Sequence, residues 1–505
     1  MAIPSSKYFN AADWIVIVVY LLAMIAIGVW FSRGQKTARD YFLGNKDLSW
    51  WSVGLSIVAT ETSALTFIGV PAIAFGGNLD FIQIIIGYVL ARIVLAVVLV
   101  PHYFKGNVTS PYQMFGNAFG LGAQRTGALF FLISGTLGAG VRVYVTCIPI
   151  QLMLGIDILP SIILFVVLSL VYTYVGGIKA VIWTDAIQFI LFMLGGIFTL
   201  VYVPTLLDGG VTEAFDLAAK AGKLQWFSGA FSWSMPFNIW MGLIGATVHV
   251  MSSHGADQLI VQRVLACGSV SEGRKALALS AVIILPLFLI FLLTGVMLWV
   301  YYQKFPLPIP IPATQAGIGK SDYIYPIFIM TAVPNVLKGF LVVAILSAAM
   351  SSVSSALSAL ASVSSMDLFK AKTRSASQEL KWSKFSTLFW AAMLILVAYA
   401  SREVTAVLNA AFTLTGLTSG AMLGGLLLAI WRPFGTSRPL VVGMLASLAL
   451  MTAISVLPKS APDFWTIYIG RPLAWPWYTL FGTITTVAVA IVVAKLTGDR
   501  LVASN

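Results

Sequence analysis

Cysteine occurs twice in this chain and histidine three times. Two cysteines, Cys147 and Cys267, both in or beside apolar segments, exclude a disulfide scaffold, and no bridge between them is expected. His249 and His254 are five residues apart, whereas a helical metal pair wants i and i+4, so no metal centre is expected. Charge is scarce too. Only 10% of residues are charged, against about a quarter in soluble domains. No stretch stays polar long enough to build a soluble domain, and the longest connections lie near 207–235 and 302–336. No cleavable leader is expected either. The first apolar run, Ala11 to Ser32, exceeds a signal core and lacks a small-residue cleavage site after it.

What remains is apolar. Hydrophobic residues make up 59% of the chain and the mean hydropathy is +0.93. Runs of about 20 apolar residues, the length that crosses a bilayer, recur from end to end. The chain therefore reads as one all-α polytopic membrane domain over 1–505, in contact with lipid. Thirteen helices are expected: 11–32, 49–75, 80–103, 126–154, 158–175, 180–206, 236–265, 274–301, 337–366, 384–402, 406–431, 437–457 and 473–496.

The formal net charge of +12 does not call for nucleic acid. Alternate connections hold nineteen basic residues on one side of the thirteen helices and nine on the other, with Arg92 and Arg142 inside helices. Arg263 is counted among the nineteen. Lys and Arg accumulate on the cytoplasmic side, which places the N-terminus outside, the C-terminus inside and the protein in the plasma (inner) membrane.

Two of the expected helices are interrupted by polar residues and glycine. The second passes through Ala59-Thr60-Glu61-Thr62-Ser63-Ala64 and then Gly69, Pro71, Gly76 and Gly77. The seventh passes through Ser252-Ser253-His254-Gly255-Ala256-Asp257. Irregular backbone at membrane depth is tolerated only where it is buried or lines a cavity. Two such breaks five helices apart point to a transporter built from inverted repeats, here 49–206 and 236–431, with its site at the breaks.

Residues 347–365 carry nine serines within the ninth helix. Ala348, Ser351, Ser352 and Ser355 follow i, i+3, i+4, i+7 and share one face. Small residues allow close helix packing, but hydroxyls in this density suit a hard cation that takes oxygen ligands. An unwound turn in the second helix frees the carbonyls of Ala59 and Thr62. With the Ala348 carbonyl and the Ser351 and Ser352 hydroxyls they make five oxygens, a set that suits sodium and would tie two helices together.

Acids inside spans are functional candidates. Asp185, in GGIKAVIWTDAIQ, reads either as an interfacial acid near Lys179 or as part of a second cation site with Ser354 and Ser355. Glu61 fits four roles: cation ligand, proton carrier, partner of a solute ammonium, or buried partner of Arg142 or Arg92. Arg142, flanked by glycine in GAGVRVYVT, can grip a carboxylate bidentately. Asp257, Gln258 and Gln83 are candidates to line a cavity.

Five segments then carry a resemblance: QKTARDYFLGNKDLSWW, TFIGVPAIAF, YTYVGGIKAVIWTDAIQ, DQLIVQRVLA and LSAAMSSVSSALSA. In this order they resemble the sodium/solute symporters, over about residues 11 to 457. The resemblance implies the five-plus-five inverted-repeat fold of the bacterial leucine transporter. It implies a first sodium site at Ala59, Thr62, Ala348, Ser351 and Ser352, and a second at Asp185, Ser351, Ser354 and Ser355. It matches Ser63 and Thr66 to solute contacts of sialic acid symporters, whose carboxylate-binding arginine lies near Arg142. Glu61 stands where proline symporters carry an aspartate, and Asp257 where sugar symporters can place an asparagine.

The function expected is sodium-coupled import of a small polar organic solute, a sugar, a sugar acid such as sialic acid, or a monocarboxylate, by alternating access. An amino-acid or proton-coupled symporter using Glu61 is the alternative. The sequence shows no nucleophile–base pair for an enzyme and no repeated filter for a channel. It ends nine residues after the last helix, which speaks against a fused sensor. The working unit expected is a monomer whose partners are the solute and sodium ions.

Overall fold

In the computed structural model, the residues described are 8–31, 41–42, 48–63, 65–105, 108–311, 321–369, 375–403, 407–460, 462–463, 466, 470 and 472–499. Parts of the 35–51 motif, and loop cations such as Arg33, Lys36, Lys370 and Arg374, lie outside this set.

The described secondary structure is helical apart from one isolated bridge between Leu48 and Cys267. Ten helices are long and apolar enough to span a membrane, and an eleventh span is a pair bent by 59°, Trp50–Glu61 with Thr66–Gly76. Two further spans escape that count. The 45-residue helix Ile158–Tyr202 is broken at Gly177, whose φ of 60° lies in the left-handed region that glycine alone adopts freely. The segment 241–264 is itself in pieces. Counting these breaks, thirteen segments of spanning length are found among the described residues, the number the apolar runs predict.

We number them α1 (Ala11–Phe31), α2 (α2a Trp50–Glu61, α2b Val70–Gly76), α3 (82–104), α4 (Leu121–Leu154), α5 (158–176), α6 (178–202), α7 (α7a Thr247–Gly255, α7b Gln258–Val264), α8 (Val270–Lys304), α9 (Leu337–Val363), α10 (Ala376–Ala400), α11 (Val407–Trp431), α12 (Ser437–Ser460) and α13 (Pro476–Leu496). Short helices Pro111–Phe119, Gly210–Lys220 and Ile324–Ala332 occupy the connections. Helix α10 starts eight residues before the apolar run does. Ser375 and Gln378 form a capping box there, which satisfies end N–H groups that hydropathy does not register.

Helix α9 is the axis of the molecule. In its most apolar window 94% of residues are buried, against 28% in α1, α12 and α13, so protein rather than lipid surrounds its serines. It packs against the α5–α6 pair, α4 and α1, while α8 packs against α2 and α3. Glycine sets the closest approaches. A Cβ on Gly87 would lie 2.0 Å from the Gly242 carbonyl, and one on Gly295 would lie 2.2 Å from that of Pro71. Backbone-to-backbone contact of this kind locks α3 to the segment leading into α7, and α8 to α2b.

One charge assignment changes. Arg263, counted above as a loop cation, is fully buried on α7b. It is near the end of the expected helix, but its guanidinium is enclosed by Ser56, Asp185 and Ser355.

Candidate functional site

The two breaks face one cavity. Thr60, Glu61, Ser63 and Thr66 of the α2 region line it, with Tyr88 of α3, Arg142 of α4, Phe288 of α8, His249, Ser253, His254 and Asp257 of the α7 region, and Phe412, Thr415 and Thr418 of α11. Five of the six solute candidates from the sequence thus meet on one surface. Gln83 does not line it. Its side chain donates to Asp80 O at 3.2 Å and accepts from Ser228 N at 3.0 Å, holding the 207–235 connection instead.

Glu61 borders the cavity with its charge already matched. Arg92 donates to its carboxylate, and His254 Nε2 lies 3.5 Å away. Arg92 also donates to Ser280 at 3.1 Å and to Tyr88 O at 2.9 Å. One arginine therefore brackets α2a, α3 and α8, with α7a alongside. Arg142 and Asp257 differ. Both are partly exposed to the cavity, and among the described residues neither has an ion-pair partner within 4.0 Å. Asp257 spends one oxygen capping α7b, accepting from Leu259 N at 2.8 Å.

Below the cavity, α2a ends at Glu61. Thr62 caps it by returning both N–H and hydroxyl to Val58 O, at 2.8 and 2.6 Å. Farther on, Thr66 N and Phe67 N both turn to Ser63 O. No described donor reaches the carbonyls of Ala59 or Thr62. Buried carbonyls normally have partners, so these two are candidates to ligate a cation. Helix α9 arrives beside them, with Thr60 Oγ1 3.4 Å from Ser355 Oγ. On α9, Ser352 donates to Ala348 O at 3.1 Å and Ser351 to Asp185 Oδ1 at 2.6 Å. Ala59, Thr62, Ala348, Ser351 and Ser352 are all buried.

Asp185, on α6, is fully buried and is no interfacial acid. Ser351 and Ser56 each donate to it at 2.6 Å, and Arg263 Nη2 donates at 2.9 Å. Arg263 also reaches Ser56 Oγ at 2.8 Å, Leu259 O at 2.6 Å and the Ser355 hydroxyl. Ser354 and Ser355 both return their hydroxyls to Ser351 O, at 3.0 and 2.6 Å. The counter-charge of Asp185 is thus an arginine, Arg263, which the charge pattern alone assigns to a loop. A lone arginine inside the apolar run LIVQRVLA was the available signal. The cluster joins α2a, α6, α7b and α9.

Comparison with known proteins bears on the family and the fold. The model of the "Sodium:solute symporter family" matches residues 41–446. A sodium/sialic acid symporter of Proteus mirabilis is 32% identical, covering 88% of this chain and 90% of its own. One from Aliivibrio fischeri is 29% identical over 98% and 95%. Mouse sodium-coupled monocarboxylate transporter 1 is 26% identical over 89% and 74%. Among solved structures, the substrate-bound outward-open state of a Na+-coupled sialic acid symporter superposes with a TM-score of 0.83 at 29% identity, covering 97% of this chain and 98% of the other.

Proposed function

This chain belongs to the sodium:solute symporter family and is a sodium-coupled symporter of a small polar organic solute, and from that premise we propose where its ion and solute sit. The chain is an integral membrane protein with the leucine-transporter-like fold. The first sodium binds the carbonyls of Ala59, Thr62 and Ala348 and the hydroxyls of Ser351 and Ser352. One observation carries this reading: two buried carbonyls without described donors stand beside a hydroxyl-rich helix. The second site, at Asp185, Ser351, Ser354 and Ser355, is filled in this state by the Arg263 guanidinium. A sodium ion enters there only when α7b carries Arg263 away.

The solute occupies the cavity above, against Ser63 and Thr66, with Glu61 at its border. Arg142 takes a carboxylate, as the relatives' anionic solutes suggest. Asp257 takes a hydroxyl or amine donor on the same molecule, because a plain anion would leave its charge uncompensated beside a second negative one. The solute class is therefore a carboxylate with hydrogen-bond donors, of which sialic acid is one.

Sodium favours the outward-open state by tying α2a to α9, and solute binding lets the α2–α7 unit rock inward. The repeats are 49–206 (α2–α6) and 236–431 (α7–α11). The N-terminus lies outside and the C-terminus inside the plasma membrane, and the monomer is the working unit. A tenfold sodium gradient supplies about 1.4 kcal/mol per ion, and each charge crossing 100 mV about 2.3 kcal/mol more.

Uptake into proteoliposomes tests the reading. Labelled sialic acid, lactate, proline and glucose are offered with and without an inward sodium gradient. Sodium-dependent accumulation of one of them, lost in Ser352→Ala, is expected. Accumulation driven by protons alone, or untouched by that substitution, would refute the site.

A further inference from the structure

Helix α13 lies outside both repeats, yet it reaches the solute cavity through one side chain. Its Thr479 Oγ1 lies 3.0 Å from Nδ1 of His249, a buried residue of α7a that lines the cavity. Thr479 is fully buried, and its hydroxyl has no other described acceptor. We assign this hydroxyl as the donor, so that Nδ1 accepts and the proton of the neutral ring sits on Nε2. No described residue bonds to Nε2. The ring is held edge-on by Phe412 at 5.8 Å and Trp475 at 5.4 Å, and these two stack on each other at 4.3 Å. Trp475 stands at the start of α13, whose approach is fixed by Ala474 N donating to Trp233 O at 2.8 Å.

We propose that His249 is a solute-contacting, specificity-determining residue, and that Thr479 of α13 aims its Nε2–H donor into the cavity. The ligand chemistry it serves is a hydrogen-bond acceptor, a carboxylate, carbonyl or hydroxyl oxygen of the solute. The aromatic pair fixes where that donor points, so only a solute presenting an acceptor there gains it. Thr479 touches no solute and is a positioning residue. The proposal rests on the reading that this cavity is the solute site. It gives α13, a helix the inverted repeats do not require, a role in selection.

The test uses the full chain in proteoliposomes with the best-transported of N-acetylneuraminate, lactate and proline. His249→Phe keeps an aromatic ring without the donor, His249→Gln keeps a donor, and Thr479→Val removes the orienting hydroxyl. His249→Phe and Thr479→Val are expected to raise the half-saturating solute concentration about three- to tenfold, the worth of one hydrogen bond. The half-activating sodium concentration should stay unchanged, and His249→Gln should recover part of the loss. Unchanged solute dependence in both variants overturns the proposal, as does a parallel shift in solute and sodium dependence. Arg142→Gln and Ser63→Ala separate the two readings. If they also leave solute dependence unchanged, the cavity reading falls with it, whereas a loss in them alone removes only the histidine's role.

A second measurement needs no solute. His249→Cys is treated with a small methanethiosulfonate in sodium buffer, where the native Cys147 and Cys267 are buried and silent. Labelling at position 249 supports the placement, and its absence overturns it.

Discussion

The breaks in α2 and α7 look alike in sequence but differ in what satisfies their backbone. In the α7 break, Gly255 O accepts from the Tyr103 hydroxyl and Ala256 O from Tyr112 at 3.0 Å, while Asp257 caps the helix that follows. The protein closes that break with its own donors. In the α2 break the Ala59 and Thr62 carbonyls have no described donor, and the neighbouring Thr60 hydroxyl lies 3.4 Å from Ser355 of α9. A polar interruption in a span is therefore not an ion site by itself. The tyrosines show how the protein can close such a break itself, and the proposed sodium site uses the break where no described donor does so.

Beneath both breaks the Asp185–Arg263 pair ties α2a and α7b to α6 and α9. Removing one partner strands a buried charge and costs about 3–5 kcal/mol. Asp185→Asn or Arg263→Met should each lower folded yield and melting temperature in detergent, the largest effect foreseen. The double variant should recover most of the loss, because neither charge then remains. If the double variant is no better than the singles, the pair is not what joins the halves.

The breaks themselves give the next contrast. Ser351→Ala removes a proposed sodium ligand. A lost bond to a charged group is worth about 1.5–3 kcal/mol, which is roughly ten- to a hundredfold in half-activating sodium. Tyr112→Phe instead leaves Ala256 O without a donor, at a cost of about 1–3 kcal/mol in stability. Sodium activation should not move with it. A sodium shift of similar size in both variants would erase the difference between the breaks.

Much of this was legible in the chain. Apolar run length yields thirteen spans because backbone groups in lipid must be satisfied within a helix, and the glycine and polar breaks stand out against that background. The open carbonyls followed from the same logic. Contacts between distant spans were not legible. Arg263 looked like a loop cation because it falls near the end of a span, and its burial depends on how α7b crosses α2a. Gln83 read as a cavity residue because a glutamine in a span suggests one, yet at the first turn of α3 it reaches the connection above. His249 was set aside as a poor metal ligand. Its partner Thr479 lies 230 residues away on a helix outside the repeats, and no local pattern links them.

The smallest effect concerns the outer end of the α2 break. Helix α2b ends at Gly76, where Lys223 of the 207–235 connection donates to Phe75 O and Gly77 O, both at 2.7 Å, with its ammonium 5.1 Å from the Trp299 ring. A cation at a helix C-terminus meets the negative end of the dipole and the last free carbonyls, worth about 0.3–1 kcal/mol. At the half-helix α7a the last carbonyl, Gly255 O, accepts from the neutral Tyr103 hydroxyl instead of from a cation. Lys223→Met keeps the aliphatic stem against Trp299 and removes only the charge. A melting-temperature decrease smaller than that of Tyr112→Phe is expected, together with unchanged sodium activation, because the clamp holds the outer end of α2b and not the carbonyls of Ala59 and Thr62. A change in sodium activation would mean that the two ends of the α2 break are coupled through the π-helical turn Leu65–Gly69, and the ion site would then extend to the outer end of the helix.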